Sequence, residues 1–181
     1  MSVLSANGFL TPTQADDYIA ALLGLLGDRD PIEVMGETPA ALAALVARLS
    51  PAELLQPEAP GKWSIGQVVR HLADSELVGA FRLRLILAQD RPTLTPYDQD
   101  QWATRLGYAA ADVRESLEQF TVLRRSNLRL WAPLTAADLG RVGLHGERGE
   151  ESLDRMRRQY AGHDLAHLQQ IERIRRRVTV D

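Results

Sequence analysis

His163 and His167 stand four positions apart in this 181-residue chain, which holds four histidines in all. In a helix that spacing puts both imidazoles on one face, one turn apart, where they can offer two nitrogens to one metal ion. Leu153, Met156, Tyr160, Ile171, Ile174 and Val178 continue the same face in steps of three and four, so the pair belongs to an apolar seam. A third nitrogen must come from another element. His71 is the best placed, beside Val68 and Leu72 in a separate long apolar pattern, whereas His145 falls in a glycine-rich stretch. A bland alternative stands beside this one, in which the histidines are hydrogen-bonded core residues or surface residues. The pair is not the zinc-protease motif. That motif needs glutamate directly after the first histidine, and here Asp164 follows; its shorter carboxylate could orient an imidazole instead.

Three neutral imidazoles would leave a divalent ion its full charge and one or more open positions. Water or an anionic substrate can fill them, and the ion lowers the pKa of a proton donor that binds there. The chain has no cysteine, which excludes disulfides, Cys-ligated zinc, iron–sulfur clusters and a cysteine nucleophile. Any thiol must therefore arrive as a small-molecule cosubstrate. The ligand set suits Zn, Ni, Fe, Cu or Mn and does not name the metal.

Other polar residues carry two readings each. Asp74, Glu76 and Asp164 are candidates to support the ligands or to act as acid and base, and read equally well as solvated helix carboxylates. Tyr97, Asp98 and Trp102 either shape the mouth of a site or, the favoured reading, pin their loop to the bundle. Arg82, Arg84, Arg155, Arg157 and Arg158 could bind an anionic cosubstrate, but a solvated helical face is the favoured reading. Tyr160 reads as core.

The elements that must position these groups are helices. Thr11-Pro12 opens a pattern that Gly27 closes, and Thr38-Pro39 reads as a cap and first-turn proline for Leu42, Leu45, Val46 and Leu49. Ser50-Pro51-Ala52-Glu53 makes a capping box for a short turn. Ser64 and Gln67 make another, stapled by Trp63 and Val68, for a helix that should reach Ala88. A long loop, residues 91–107, follows. Further helices are expected from about Ala110 to Leu130 and from Glu150–Ser152 to Val178, with an acidic start and a basic end on the last. Residues 135–149 read as a loop, and no alternating strand pattern or internal repeat is evident. The class is all-α, with a bundle as its architecture.

Composition agrees with one globular domain: 45% hydrophobic and 25% charged residues, with a formal net charge of −3. That charge argues against nucleic acid as a partner. No apolar run approaches the roughly 18 residues of a membrane span. MSVLSANGF lacks the basic residue and apolar run of a leader, so the expectation is a cytoplasmic protein with no membrane partner. Lys62 is the single lysine; arginine supplies the other cations.

Four stretches together resemble the DinB-like superfamily and its YfiT-type metalloproteins. They are Lys62-Trp63-Ser64-Ile65-Gly66-Gln67-Val68-Val69-Arg70-His71-Leu72-Ala73-Asp74-Ser75-Glu76, the loop from Arg91 through Trp102, Leu144 to Leu153, and Tyr160 to Ile171 with its His-x-x-x-His signature. The likeness covers residues 38–178, with residues 1–36 as an N-terminal helical extension of a single domain, 1–181. It departs from the family at Gly146, where proline is usual. The resemblance implies a four-helix bundle with crossover connections and a divalent metal (Zn, Ni, Fe or Mn) held by His71, His163 and His167. It also implies a homodimer and an activity of the thiol S-transferase type, with bacillithiol as cosubstrate, or of the hydrolase type. The expected function is therefore activation of a small thiol, or of water, for attack on an electrophile. The competing expectation is a stress-associated, non-catalytic bundle whose metal is structural or vestigial.

Overall fold

The computed structural model describes residues 12–179. The readings of MSVLSANGF and of Thr11 lie outside the described residues. Among the described residues, eight α-helices and three short strands follow in order: α1 Pro12–Leu26, α2 Pro31–Val46, α3 Pro51–Leu55, α4 Ile65–Ala88, β1 Thr93–Leu94, α5 Gln99–Arg105, α6 Val113–Trp131, α7 Ala136–Leu139, β2 Val142–His145, β3 Gly149–Ser152 and α8 Leu153–Val178.

Four long helices make the bundle. α2 packs against α8 and α6, and α4 packs against the same two. Around the bundle the order is therefore α2, α8, α4, α6, so α2 and α4, consecutive among the long helices, are diagonal. This is the crossover arrangement. α1 lies against α8 as the extension. Its close approach needs Gly162: a Cβ there would sit 2.2 Å from the Leu22 carbonyl oxygen. The apolar faces meet in two clusters. One joins Leu42, Ile65, Val69, Leu72, Phe120, Ile171 and Ile174. The other joins Leu26, Met35, Leu83, Ile86, Trp131, Leu153 and Met156.

Both expected capping boxes form, at Ser50–Glu53 and at Ser64–Gln67. The start at Thr38-Pro39 does not. α2 begins a full two turns earlier, with Asp30 accepting from the Ile32 and Glu33 amides at 2.7 and 3.0 Å and Pro31 in the first turn. Pro39 is thus inside a helix, where it leaves the Met35 carbonyl without its usual donor. The buried Arg124 side chain of α6 supplies one, Nη1 donating to Met35 at 2.9 Å. Thr38 is free of capping duty. Its hydroxyl lies 2.8 Å from the Val34 carbonyl and 2.9 Å from Asp164 Oδ2, one proton shared between two acceptors.

The expectation of no strand is also corrected. β1 pairs in parallel with β2, and β2 forms a hairpin with β3 in the register His145↔Gly149. Gly149, at φ +68°, supplies the left-handed residue that closes this short loop. Each strand is at most four residues long, too short to show a period of two. α8 accordingly starts at Leu153, capped by the Ser152 hydroxyl, and Glu150 and Glu151 belong to β3. The 91–107 stretch holds β1 and α5. Among the described residues no helix is long and apolar enough to cross a membrane.

Candidate metal centre

The seam between α4 and α8 brings His71, His163 and His167 together. His71 sits two turns into α4, on the face that its capped first turn directs inward, and the other two lie mid-way along α8. His71 and His167 are 2% and 5% exposed, and His163 is half-buried. His71 Nε2 and His163 Nε2 are 3.1 Å apart, as are His167 Nε2 and His163 Nε2. One nitrogen from each ring lies within 4.8 Å of the others.

This is the geometry of a donor set. Metal–nitrogen bonds of about 2.05 Å separate two ligand nitrogens by about 2.9 Å at a right angle and about 3.3 Å at a tetrahedral one. The observed separations fall between. His167 Nδ1 lies 2.8 Å from Gln170 Oε1, an acceptor, so the ring proton is on Nδ1 and the Nε2 lone pair faces the cluster. Burial pushes His71 and His163 well below the ordinary histidine range, with neighbouring imidazoles adding to the effect. His167 is lowered too, by burial, against the Gln170 contact and Asp164. His71 Nδ1 is buried without a partner, and the three clustered Nε2 atoms can all turn lone pairs to one ion when the ring protons sit on Nδ1, so the residues fit a divalent metal.

The three candidate carboxylates are all buried and all engaged elsewhere. Asp74 accepts from the Tyr108 hydroxyl at 2.7 Å and pairs with Arg70 at 3.1 Å. Glu76 accepts from Arg124 Nη2 at 2.9 Å and from Asn127 Nδ2 at 2.7 Å. Asp164 is gripped by both Arg124 Nη1 and, at 3.0 Å, Nη2. Arg124 is 1% exposed and also stacks over Phe120. This network touches all four bundle helices, and its two carboxylates outnumber its one cation directly behind His163.

The structure adds Gln170, Arg124 and Asn127, and gives Thr38 and Trp63 places beside the site that their capping and stapling roles did not suggest; the Trp63 ring lies 5.0 Å from His71. Gln170 was findable, three positions after His167 on the same helix. Arg124 was not, because nothing local marks a buried arginine. Tyr97 and Trp102 stack on each other at 4.6 Å, and Tyr160 lies over Gly79, where a Cβ would meet its ring at 2.6 Å. His145 is buried in β2 and is not part of the donor group. Arg84 and Arg158 are exposed and Arg155 and Arg157 half-buried, but Arg82, read as solvated, is buried.

Comparison with known proteins gives a consistent picture. A family model described as the DinB superfamily matches residues 35–171, more than half of the chain. A Bacillus mycoides protein named "Putative metal-dependent hydrolase" is 31% identical over 147 residues, 81% of this chain and 84% of the relative. The Bacillus subtilis "Putative metal-dependent hydrolase YfiT" is 30% identical over 148 residues, 81% of this chain and 83% of its own. The solved structure of that protein, described as a probable metal-dependent hydrolase with an unusual four-helix bundle topology, superposes with a TM-score of 0.78 at 26% identity. The match covers 97% of this chain and 93% of that one.

Proposed function

Because the chain belongs to the DinB superfamily, we propose that it is a divalent-metal-dependent enzyme, with His71, His163 and His167 as ligands, that activates a small thiol or water for attack on an electrophile. The convergence of three neutral Nε2 atoms in a buried seam carries this reading. The ion, once bound, supplies Lewis acidity that lowers the pKa of a thiol or water reaching it.

The chain's own residues do the rest. Gln170 holds the His167 tautomer, and the Arg124–Asp164 pair fixes the stretch of α8 that carries His163. The excess negative charge of Glu76 and Asp164 over Arg124 offsets part of the charge of a divalent ion nearby. Asp164 and Glu76 each accept two or more hydrogen bonds from these fixed partners, so neither is placed as a mobile base. Proton removal is thus left to the lowered pKa of the attacking group itself. With no cysteine in the chain, a sulfur nucleophile must enter as a small molecule, and a bacillithiol-like thiol is the proposed cosubstrate. The proposed assembly, a homodimer, rests on the resemblance alone, and sedimentation of the purified chain tests it.

Metal analysis of tag-free protein beside the His163→Ala/His167→Ala double variant tests the ligands. About one ion per chain, lost in the variant, is expected. Conjugation of a model electrophile, with and without bacillithiol, then separates the two chemistries. A metal-dependent rate only with thiol supports the transferase form, and a metal-dependent rate with water alone supports the hydrolase form. No metal in either protein, after incubation with Zn, Ni and Mn salts, overturns the reading in favour of a non-catalytic bundle.

A further inference from the structure

Arg82 is 6% exposed, yet among the described residues no carboxylate pairs with it. Among the described residues its one hydrogen bond runs from Nη2 to the Thr95 carbonyl at 2.7 Å, and Nε has no partner. A buried cation without a counter-ion is costly unless an anion joins it.

Two further unmet donors come to the same place. Leu94, which precedes Thr95, pairs with His145 in the β1–β2 register. His145 is 4% exposed; its Nδ1 accepts from the Glu147 amide at 3.2 Å, which leaves the proton on Nε2, and Nε2 has no partner. Arg148 sits in the hairpin loop that follows. Its Nη2 donates to Glu151 at 2.9 Å, and its Nε is unpartnered. Both arginines act electrostatically on His145, and both act on Tyr97. Tyr18 of α1, its pKa pushed up mainly by burial, also feels Tyr97 and Arg148. The charged groups that act on His145 are both cations, and three N–H donors here have no partner.

We propose that Arg82, His145 and Arg148 form a subsite for an oxyanion, a carboxylate or phosphate group carried by the small-molecule substrate. Arg82 follows His71 by eleven positions, about 16 Å along α4 and about 20° from the same face. Ser75, one turn after His71, acts on the Tyr97 hydroxyl and holds down its pKa against burial. Tyr160, one turn before His163, reaches toward the Ser75 carbonyl. The subsite and the imidazole cluster therefore lie about three turns apart along one face of α4, a spacing that a substrate engaging both would have to span. The substrate class is accordingly an extended anionic molecule. The inference rests on the proposed metal chemistry only for what happens at that far end.

The test follows the His145 imidazole resonances by NMR in the full, metal-loaded chain, with succinate, inorganic phosphate and chloride at matched ionic strength. A saturable shift with succinate or phosphate, absent with chloride, is expected; whichever anion saturates names the group. Arg82→Gln keeps a donor for the Thr95 carbonyl and removes the charge. It should weaken that binding by about tenfold or more, and without anion it should leave Tm unchanged or raised. No saturable shift, or one that survives Arg82→Gln, overturns the subsite. A Tm that falls in Arg82→Gln without anion assigns Arg82 to structure and likewise overturns it. Repeating the titration on metal-free protein separates the two proposals, because the anion response should persist where the metal reading fails.

Discussion

The guanidinium of Arg124 grips the carboxylate of Asp164 with two donors, one residue from His163 and wholly inside the bundle. The same guanidinium holds Glu76 and the Met35 carbonyl that Pro39 leaves bare. One side chain thereby ties α2, α4 and α8 to α6 behind the imidazoles. Removing it with Arg124→Leu strands two buried carboxylates, and a loss of about 3–5 kcal/mol is expected in urea unfolding. Asp164→Asn keeps the shape and leaves Arg124 paired with Glu76, so it should cost less. Equal losses from the two would show that the remaining Arg124–Glu76 pair contributes nothing by itself.

Gln170→Ala frees the His167 ring to rotate and to change tautomer. Metal affinity should fall about 10- to 100-fold while stoichiometry at saturation stays the same, as for other residues that orient a ligand histidine. Competition with a chelator measures it. Unchanged affinity would mean that packing alone orients the ring.

His145 sets a pH dependence separate from the ligands. Burial first, then Arg148 and Arg82, push it down to about 3, while the unfolded chain has an ordinary histidine there, near pH 6.5. Below about pH 6.5 the unfolded state binds a proton that the native state does not, so stability falls as pH falls until the native pKa is reached. The largest contribution is one proton, about 1.4 kcal/mol per pH unit. Glu151, paired with Arg148, is the carboxylate on this side of the site. Denaturation midpoints of the wild type and His145→Asn between pH 7 and pH 4 should diverge, with the flatter profile in the variant. Parallel profiles would show that His145 takes up a proton without unfolding.

Gly162→Ala places a methyl against the Leu22 backbone of α1, at a distance no real contact tolerates. α1 must move off α8, and a loss of about 1–3 kcal/mol is expected, with faster amide exchange along α1. At Gly79 the obstacle is the Tyr160 ring, a side chain that can turn, so Gly79→Ala should be milder for the fold. Exchange in α1 that matches the wild type would count against the close crossing.

Helices and the histidine pair were legible because their causes are local. Four residues of a capping box, or two histidines four apart, interact within one turn wherever the chain goes next. The Ser64–Gln67 box, the reach of α4 to Ala88 and the shared face of His163 and His167 all follow from that. Pro39 misled for the same reason. A first-turn proline is locally favourable, and the compensation that lets it sit deep in α2 comes from Arg124, 85 positions on. β2 and β3 were invisible because two four-residue strands draw their order from each other and from β1, not from their own periodicity.

Residue types and spacing by themselves determined that this chain makes amphipathic helices and can offer three imidazole nitrogens, two of them from one face. Tertiary structure decided the rest. It closed His71 Nε2 to 3.1 Å from His163, committed Asp74, Glu76 and Asp164 to fixed partners, and buried Arg82 with no ion-pair partner among the described residues. Each of those outcomes depends on the desolvation of a polar group by elements distant in sequence, and desolvation is a property of the packed molecule.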